Sequence, residues 1–333
     1  MAGCGVRALR WGHEAAPLAA VAAKISANDA DPQRMPWLET NLAPLRSAGL
    51  DLTLSTRSAE GLLAEAFLHG QTFDFMDLDA FGSPGALLQP ALKTLAFGGI
   101  LFLASTDGRS PTGHDRSGAV RHLGSSARVH PSSWELALRQ HLGLIAREAW
   151  MLGFGIEPLC SFSEGRTFRI AVRLRKRLGY GEEVHLGMLA RCGSCGAQQH
   201  QSLLKMRQWR SCECLDGEAH LAIHGPLWLG PLQDTALLAE LTEFSISLAP
   251  KTHHLLRRLQ QDAADLPSVW STAELAQRLQ LAGPPALAAL VDALRCRGHR
   301  AVISGVMAGQ VRTDAGLPEL LQVCRDLDVE GFK

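Results

Sequence analysis

The run FDFMDLDAFGSPG, residues 73–85, decides the fold. Apolar residues lead into two acids, Asp77 and Asp79, spaced two apart. That period puts both carboxylates on one face at the carboxyl end of a strand. A turn follows at once, Ala80-Phe81-Gly82-Ser83-Pro84-Gly85. In open α/β sheets ligands bind outside the carboxyl ends of the strands.

The flanking sequence supplies the rest of such a sheet. Upstream, residues 5–14 read as a helix and VAAKISAND as a strand with Val21, Ala23 and Ile25 leading to Asn28-Asp29. Residues 32–49 read as a helix, DLTLST as a strand and AEGLLAEAFLHG as a helix. Downstream, GALLQPALKTLAF is a helix stopped at Gly98-Gly99, and ILFLAST is a strand. This alternation predicts a doubly wound, Rossmann-like α/β domain over residues 1–180. After a polar loop at 106–128 comes a helix capped by Ser132 or Ser133. Then FRIAVRLRKR alternates, with Phe168, Ile170, Val172 and Leu174 on one face and arginines on the other. Past residue 180 the rhythm breaks into a cysteine module at 188–216, two or three helices between 233 and 297, a strand-like HRAVISG and a last helix. Residues 181–333 therefore read as a smaller, mixed α/β C-terminal domain.

Composition narrows the class. A 333-residue chain, 46% hydrophobic and 20% charged, supports a sizeable core. No apolar run reaches the ~18 residues of a membrane span, and no apolar signal stretch opens the chain. The expected setting is cytoplasmic, without a membrane or an obligate protein partner. Formal net charge is zero, so nothing global advertises a polyanion. Of the 33 basic residues only six are Lys; the rest are Arg, the better fork for phosphate, though a GC-rich genome alone would favour Arg codons. Two basic clusters stand out: Arg109, His114, Arg116, Arg121, His122 and Arg128 in the loop, and the arginines of 169–177. Either is a phosphate contact or a plain solvated face.

Three constellations carry chemistry. Gly3-Cys4-Gly5 opens a helix and allows backbone to approach a ligand, with Asp29 at the end of the next strand placed to accept from ribose hydroxyls. That geometry serves NAD and S-adenosylmethionine alike. Asp79, Ala80 and Phe81 discriminate between them. The exocyclic amine of a base is a poor nucleophile because its lone pair is delocalised. A carboxylate and a backbone carbonyl accepting its N–H groups hold the lone pair toward a methyl sulfonium, and an aromatic ring stacks on the base. No hydride-transfer site stands out, so an NAD oxidoreductase ranks last. Finally, Cys192-Gly-Ser-Cys195-Gly and Cys212-Glu-Cys214 make two thiolate pairs, the donor set of a closed, structural zinc site. His200 or His220 is the alternative to one of these ligands. Cys4, Cys160, Cys296 and Cys324 read as small buried hydrophobes.

Together these residues resemble the tRNA guanine-26 N2-dimethyltransferase family. GCGVRALR is similar to its cofactor loop, ANDAD to its second-strand motif with Asn41 following, and DLDAFGSP to D-x-D-P-F-G-S-P save at one position. STDG, WELALR (Glu135, Arg139), PLCSFSEGRTFRIAVRL, the cysteine module, GPLWLGPL and VRTDA follow in the family's order, so the resemblance covers essentially the whole chain. It implies methyl transfer from S-adenosylmethionine to N2 of a tRNA guanine, with Gly3, Gly5, Arg7, Asp29, Ala59 and Asp77 at the cofactor and Asp79, Ala80 and Phe81 at the base. The C-terminal domain would hold the tRNA by shape and phosphates. Two departures stand in the sequence. Ala80 replaces a proline, and Ser58 stands where the family tends to have an acid, so no adenine contact is assigned to Ser58. The family also places a first strand before the glycine loop, which here begins at residue 3; the expectation is an upstream start or a truncated chain. Two other readings fit the same residues: a zinc-containing tRNA-binding protein that has lost catalysis, and an S-adenosylmethionine-dependent amino-methyltransferase acting on another substrate.

Overall fold

The computed structural model describes residues 1–15, 23–212, 214, 220–244 and 249–331; Val21 and residues 213, 215 and 216 of the cysteine module lie outside these. The first half runs α1 (Val6–Arg10), β1 (Lys24–Asn28), α2 (Met35–Ser47), β2 (Asp51–Ser55), α3 (Ala59–Leu68), β3 (Phe73–Ala80), α4 (Leu88–Thr94), β4 (Leu95–Ser105), α5 (Arg116–Leu123), α6 (Ser133–Met151), β5 (Gly155–Glu164) and β6 (Thr167–Arg175). The second half runs β7 (Leu186–Cys192), β8 (Gln198–Ser202), β9 (Leu221–Trp228), α7 (Thr235–Phe244), α8 (Pro250–Gln260), β10 (Val269–Ser271), α9 (Thr272–Leu279), α10 (Leu287–Cys296), β11 (Ala301–Ile303), β12 (Gln310–Thr313) and α11 (Leu317–Gly331).

The βα rhythm yields two parallel pairs, β1–β2 and β3–β4. The second pair continues into β6 and β5, both antiparallel to their neighbours, in the order β3-β4-β6-β5. Among the described residues no strand hydrogen-bonds the first pair to this four-stranded sheet. Side chains join them instead: Trp11 lies on Phe75 at 4.3 Å between ring centroids, and Arg7 reaches two acids of β3.

The alternation of β6 is realised as read. Phe168, Ile170, Val172 and Leu174 are fully buried, with Leu101 and Leu103 of β4 beside them, against α4 and α6. Each such side chain contributes about 1.5–3 kcal/mol of burial. The opposing arginines are largely spent on acids: Arg169 on Glu164, Arg173 on Glu157 and Arg175 on Glu182. That strand is thus a paired face and not a free basic one.

Local differences have local causes. The helix expected over 85–97 ends at Thr94, and Gly98-Gly99 lie inside β4. There they form an irregularity where β3 advances from Phe73 to Phe75 while β4 advances from Leu95 to Ile100. A Cβ on Gly99 would meet the carbonyl oxygens of Ala96 and Asp74 at 2.8 and 2.9 Å, so the crowded bulge selects glycine. The helix read over 5–14 is a five-residue α1 continued by a π-helical turn, Trp11–Ala15. Helix α6 begins without the serine cap: the Ser132 hydroxyl donates to the Val269 carbonyl instead. Cys324 is buried, whereas Cys4 and Cys296 are exposed, contrary to their reading as core residues.

Two further sheets complete the molecule, β8-β7-β9 and β10-β12-β11. The latter packs with α9, α10 and α11 around a second core that includes Leu275, Leu290, Leu294, Val311 and Leu320.

Candidate active site and metal centre

The glycine loop has the backbone its residues suggest. Gly3 and Gly5 sit at φ 59° and 82°, the left-handed region that favours glycine. A Cβ on Gly5 would also press Leu38 and Leu42 of α2 at 3.1 Å. Asn41 donates from Nδ2 to the Cys4 carbonyl at 2.8 Å and fixes the loop against α2.

Asp29 lies directly beside this loop. Its Oδ2 accepts from the Gly3 N–H and the Met1 amino group, each at 2.8 Å, and its Oδ1 accepts from the Asp31 N–H at 3.0 Å. Burial pushes the carboxyl up, but these donors outweigh it and hold Asp29 down at about 2. Asn28 organises the neighbouring turn, accepting from Ser55 Oγ and the Arg57 N–H and donating to the Arg57 carbonyl. Ser58 caps α3 by accepting from the Gly61 N–H, which is the role its side chain takes here. Ala59 follows as the first residue of that helix, packed partly against the main core.

Arg7 extends from α1 across to β3. Its Nη1 lies 2.7 Å from Asp77 Oδ1 and 2.9 Å from Asp79 Oδ2. Burial pushes the Asp77 carboxyl above its ordinary range, Arg7 opposes this, and Asp79 adds to it. Among the described residues Asp79 Oδ1 makes no hydrogen bond, so one carboxylate oxygen remains open as an acceptor. Asp77 and Asp79 were read as sharing a face; that one arginine serves both is visible only in three dimensions.

The turn after β3 is braced from β4. The Gly82 N–H donates to Thr106 Oγ1 at 2.7 Å, and the Gly82 carbonyl accepts from the Thr106 N–H at 3.1 Å and Ser105 Oγ at 3.2 Å. Gly82 itself has φ 74°. These bonds hold Ala80, nearly buried, at the end of the strand and leave the Phe81 ring 97% exposed, free to stack on an incoming planar group. The bracing pair Ser105-Thr106 lies in the STDG segment, which the sequence marks without revealing its task.

The cysteine pairs converge as their spacing predicts. The four sulfurs of Cys192, Cys195, Cys212 and Cys214 all lie within 4.8 Å of one another, with 3.8 Å between Cys192 and Cys214 and 3.2 Å between Cys195 and Cys212. Zinc–sulfur bonds of about 2.3 Å in a tetrahedron place sulfurs about 3.8 Å apart, so the set fits the ion. Burial raises Cys192, but the N–H groups of Cys195 and Ser194 bring it to about 7. Hydrogen bonding to Cys195, then burial, pushes Cys212 up to about 12. Four adjacent thiolates without a cation repel; a bound dication removes that conflict. The knuckle is tied to α9, where Arg278 donates to the Ser194 carbonyl at 3.0 Å and Glu274 pairs with Arg191 and Arg278.

Fold and site define a doubly wound α/β protein of the methyltransferase type, with a glycine loop, an acid–turn–aromatic edge and a four-cysteine module. The family model described as N2,N2-dimethylguanosine tRNA methyltransferase matches residues 1–325, and the chain belongs to that family. Two curated relatives are tRNA (guanine(26)-N(2))-dimethyltransferases. That of Methanoregula boonei is 30% identical, covering 98% of this chain and 83% of the relative. That of Methanoculleus marisnigri is 28% identical, covering 97% and 83%. Among solved structures, Trm1 from Pyrococcus horikoshii, in complex with S-adenosyl-L-methionine, superimposes with a TM-score of 0.83 at 21% identity over 97% of this chain and 86% of that one. Among the described residues no helix is long and apolar enough to cross a membrane.

Proposed function

We propose that this chain transfers one or two methyl groups from S-adenosylmethionine to N2 of guanine 26 in tRNA. The observation that carries the reading is Asp79: it stands at the carboxyl end of β3, paired through one oxygen with Arg7 and open at the other, beside the exposed Phe81 ring. Family membership supplies the substrate class.

The residues divide the work. Gly3, Gly5, Arg7, Asp29, Ala59 and Asp77 form the cofactor side. Asp29, held as a carboxylate, accepts from ribose hydroxyls. S-adenosylmethionine supplies an electrophilic methyl group. Asp79 Oδ1 and the Ala80 carbonyl accept hydrogen bonds from the guanine N2 amine and orient its lone pair. Arg7 holds the other oxygen, Oδ2, and leaves Oδ1 open for that task. Phe81 stacks on the base, which is unstacked from the tRNA to reach the edge. We assign residues 1–180 to catalysis and residues 181–333 to tRNA binding, with Cys192, Cys195, Cys212 and Cys214 holding a structural zinc ion. The setting that keeps these thiols reduced is the cytoplasm.

Incubation with labelled S-adenosylmethionine and an unmodified tRNA transcript, read by nucleoside mass spectrometry, tests this. The expected product is N2-methylated guanosine, absent from a transcript with G26 changed to A. Asp79→Asn is expected to lower kcat by about a hundredfold or more while S-adenosylmethionine still binds. Product that persists in the changed transcript overturns the site, and an unaffected Asp79→Asn variant overturns the role of Asp79.

A further inference from the structure

Beside the catalytic turn lies a cleft of about 400 Å³ lined by Ser83, Gly85, Arg121, His122, Leu144 and Arg147, among others. Its size falls in the range of small-ligand pockets. One feature favours an anion. Arg147, half-buried, donates only to backbone, from Nη2 to the Leu123 carbonyl at 2.6 Å and weakly from Nε to the Gly143 carbonyl at 3.4 Å. Glu148 is the one carboxylate on the lining; it acts on Arg147 through space, without a salt bridge between them among the described residues.

The two arginines of the lining, Arg121 and Arg147, have no salt-bridge partner among the described residues, and neither do Arg109, Arg116 and Arg128 of the 106–128 loop, whereas the arginines of β6 pair with acids. Nearby acids are occupied with backbone. Asp107 accepts from the Arg109 and Ser110 N–H groups, and Asp115 caps α5 through the Gly118 N–H. The basic side chains of this loop thus make no direct ion pair with these acids, which leaves them available to a polyanion.

We propose that this cleft is a subsite for the RNA backbone, seating a phosphate between Arg147 and Arg121 while the neighbouring base stands at Phe81. The inference rests on the proposed tRNA reading. Ser83 lies two residues past Phe81, and a Cβ on Gly85 would touch the His122 carbonyl at 2.9 Å, so the catalytic turn and the end of α5 are in direct contact. Filling the cleft therefore steadies the turn that presents Asp79 and Ala80.

The test compares wild type with Arg147→Ala, Arg121→Ala and, as a control on a distant exposed arginine, Arg46→Gln. Binding of a tRNA transcript is measured across a salt series, and S-adenosylmethionine binding is measured alongside. Each cleft variant is expected to weaken tRNA binding about tenfold and to reduce the slope of log affinity against log salt by about one, with S-adenosylmethionine affinity unchanged. An unchanged affinity and slope, or the same loss in Arg46→Gln, overturns the subsite. If Arg147→Ala misfolds and loses S-adenosylmethionine binding, the exposed Arg121→Ala decides alone. Normal wild-type binding with cleft-dependent affinity but no methylation at G26 overturns the proposed reaction and leaves the subsite standing.

Discussion

Arg7 carries more than one interaction can explain. Its guanidinium serves Asp77 and Asp79 through a single nitrogen and lies 5.8 Å from the centre of the Phe102 ring. Removing it leaves two adjacent carboxylates, one of them mostly buried, with no counter-ion of that quality. Arg7→Met is therefore expected to destabilise the fold by about 1–3 kcal/mol at neutral pH. Asp77 titrates above its ordinary range because burial disfavours the charge. A carboxyl raised in the folded state carries its penalty fully above the folded pKa and loses it as pH falls through the unfolded one. The gap in unfolding free energy between wild type and Arg7→Met should accordingly narrow as pH is lowered toward 4. A gap that is constant or wider in acid contradicts this account. Asp77 and Asp79 were legible as a pair because strand periodicity fixes their faces, and Phe81 because the turn follows them at once. Arg7 as their shared partner was not, because 70 residues of sequence separate it from Asp77.

At the scale of elements, periodicity served well where one face of a strand is buried and less well where backbone geometry decides. β6 follows its alternation because misplacing any of four apolar residues would expose it. Gly98-Gly99 were read as a helix stop, yet the pair resolves crowding against β3 carbonyls inside β4, a tertiary demand invisible to local propensity. The cysteine module was legible because ligand spacing is itself a tertiary constraint. Its place in the fold was not: β7, which ends at Cys192, pairs with β8 and β9, and the knuckle leans on α9 through Arg278. Cys195 also packs against the second core. Metal removal should therefore loosen the C-terminal elements before the catalytic sheet. The purified chain is expected to hold about one zinc ion, released together with thiol reactivity by a strong chelator. Hydrogen exchange should then rise in β7, β8 and α9 while β3 and β4 stay protected. Uniform protection after complete zinc loss would show that the ion does not brace this region.

The halves of the molecule meet through buried charge. Glu135 on α6 accepts from Arg139 Nε at 2.9 Å and from Arg312 Nη1 and Nη2, each at 2.7 Å. Asp262 accepts from Arg312 Nε at 2.8 Å and Nη2 at 3.0 Å, and from the N–H groups of Ala264 and Gly305. Arg139 spends its remaining donors on the carbonyls of Trp228, Gly230, Ala264 and Leu266. Two cations and two anions cancel, and each is fully or almost fully buried. The network ties α6 to the segment after α8 and to β12; in the proposed reading it thereby orients the RNA-binding elements toward the Asp79 edge. Burial alone would raise the Asp262 carboxyl, but Arg312 outweighs it and holds the group below its ordinary range. Its stabilising contribution is therefore complete above the unfolded pKa near 3.9 and is lost as pH falls through the folded one. Asp262→Asn leaves Arg312 half-neutralised and should cost about 3–5 kcal/mol at pH 7, measured by denaturant unfolding. The difference from wild type should shrink below pH 4, where wild type loses the same charge. A variant that unfolds like wild type at pH 7 would show that Glu135 alone neutralises Arg312. If the network positions the two halves, a milder change, Glu135→Asp, should raise the tRNA KM more than it lowers kcat and spare S-adenosylmethionine binding, because the catalytic edge itself is untouched.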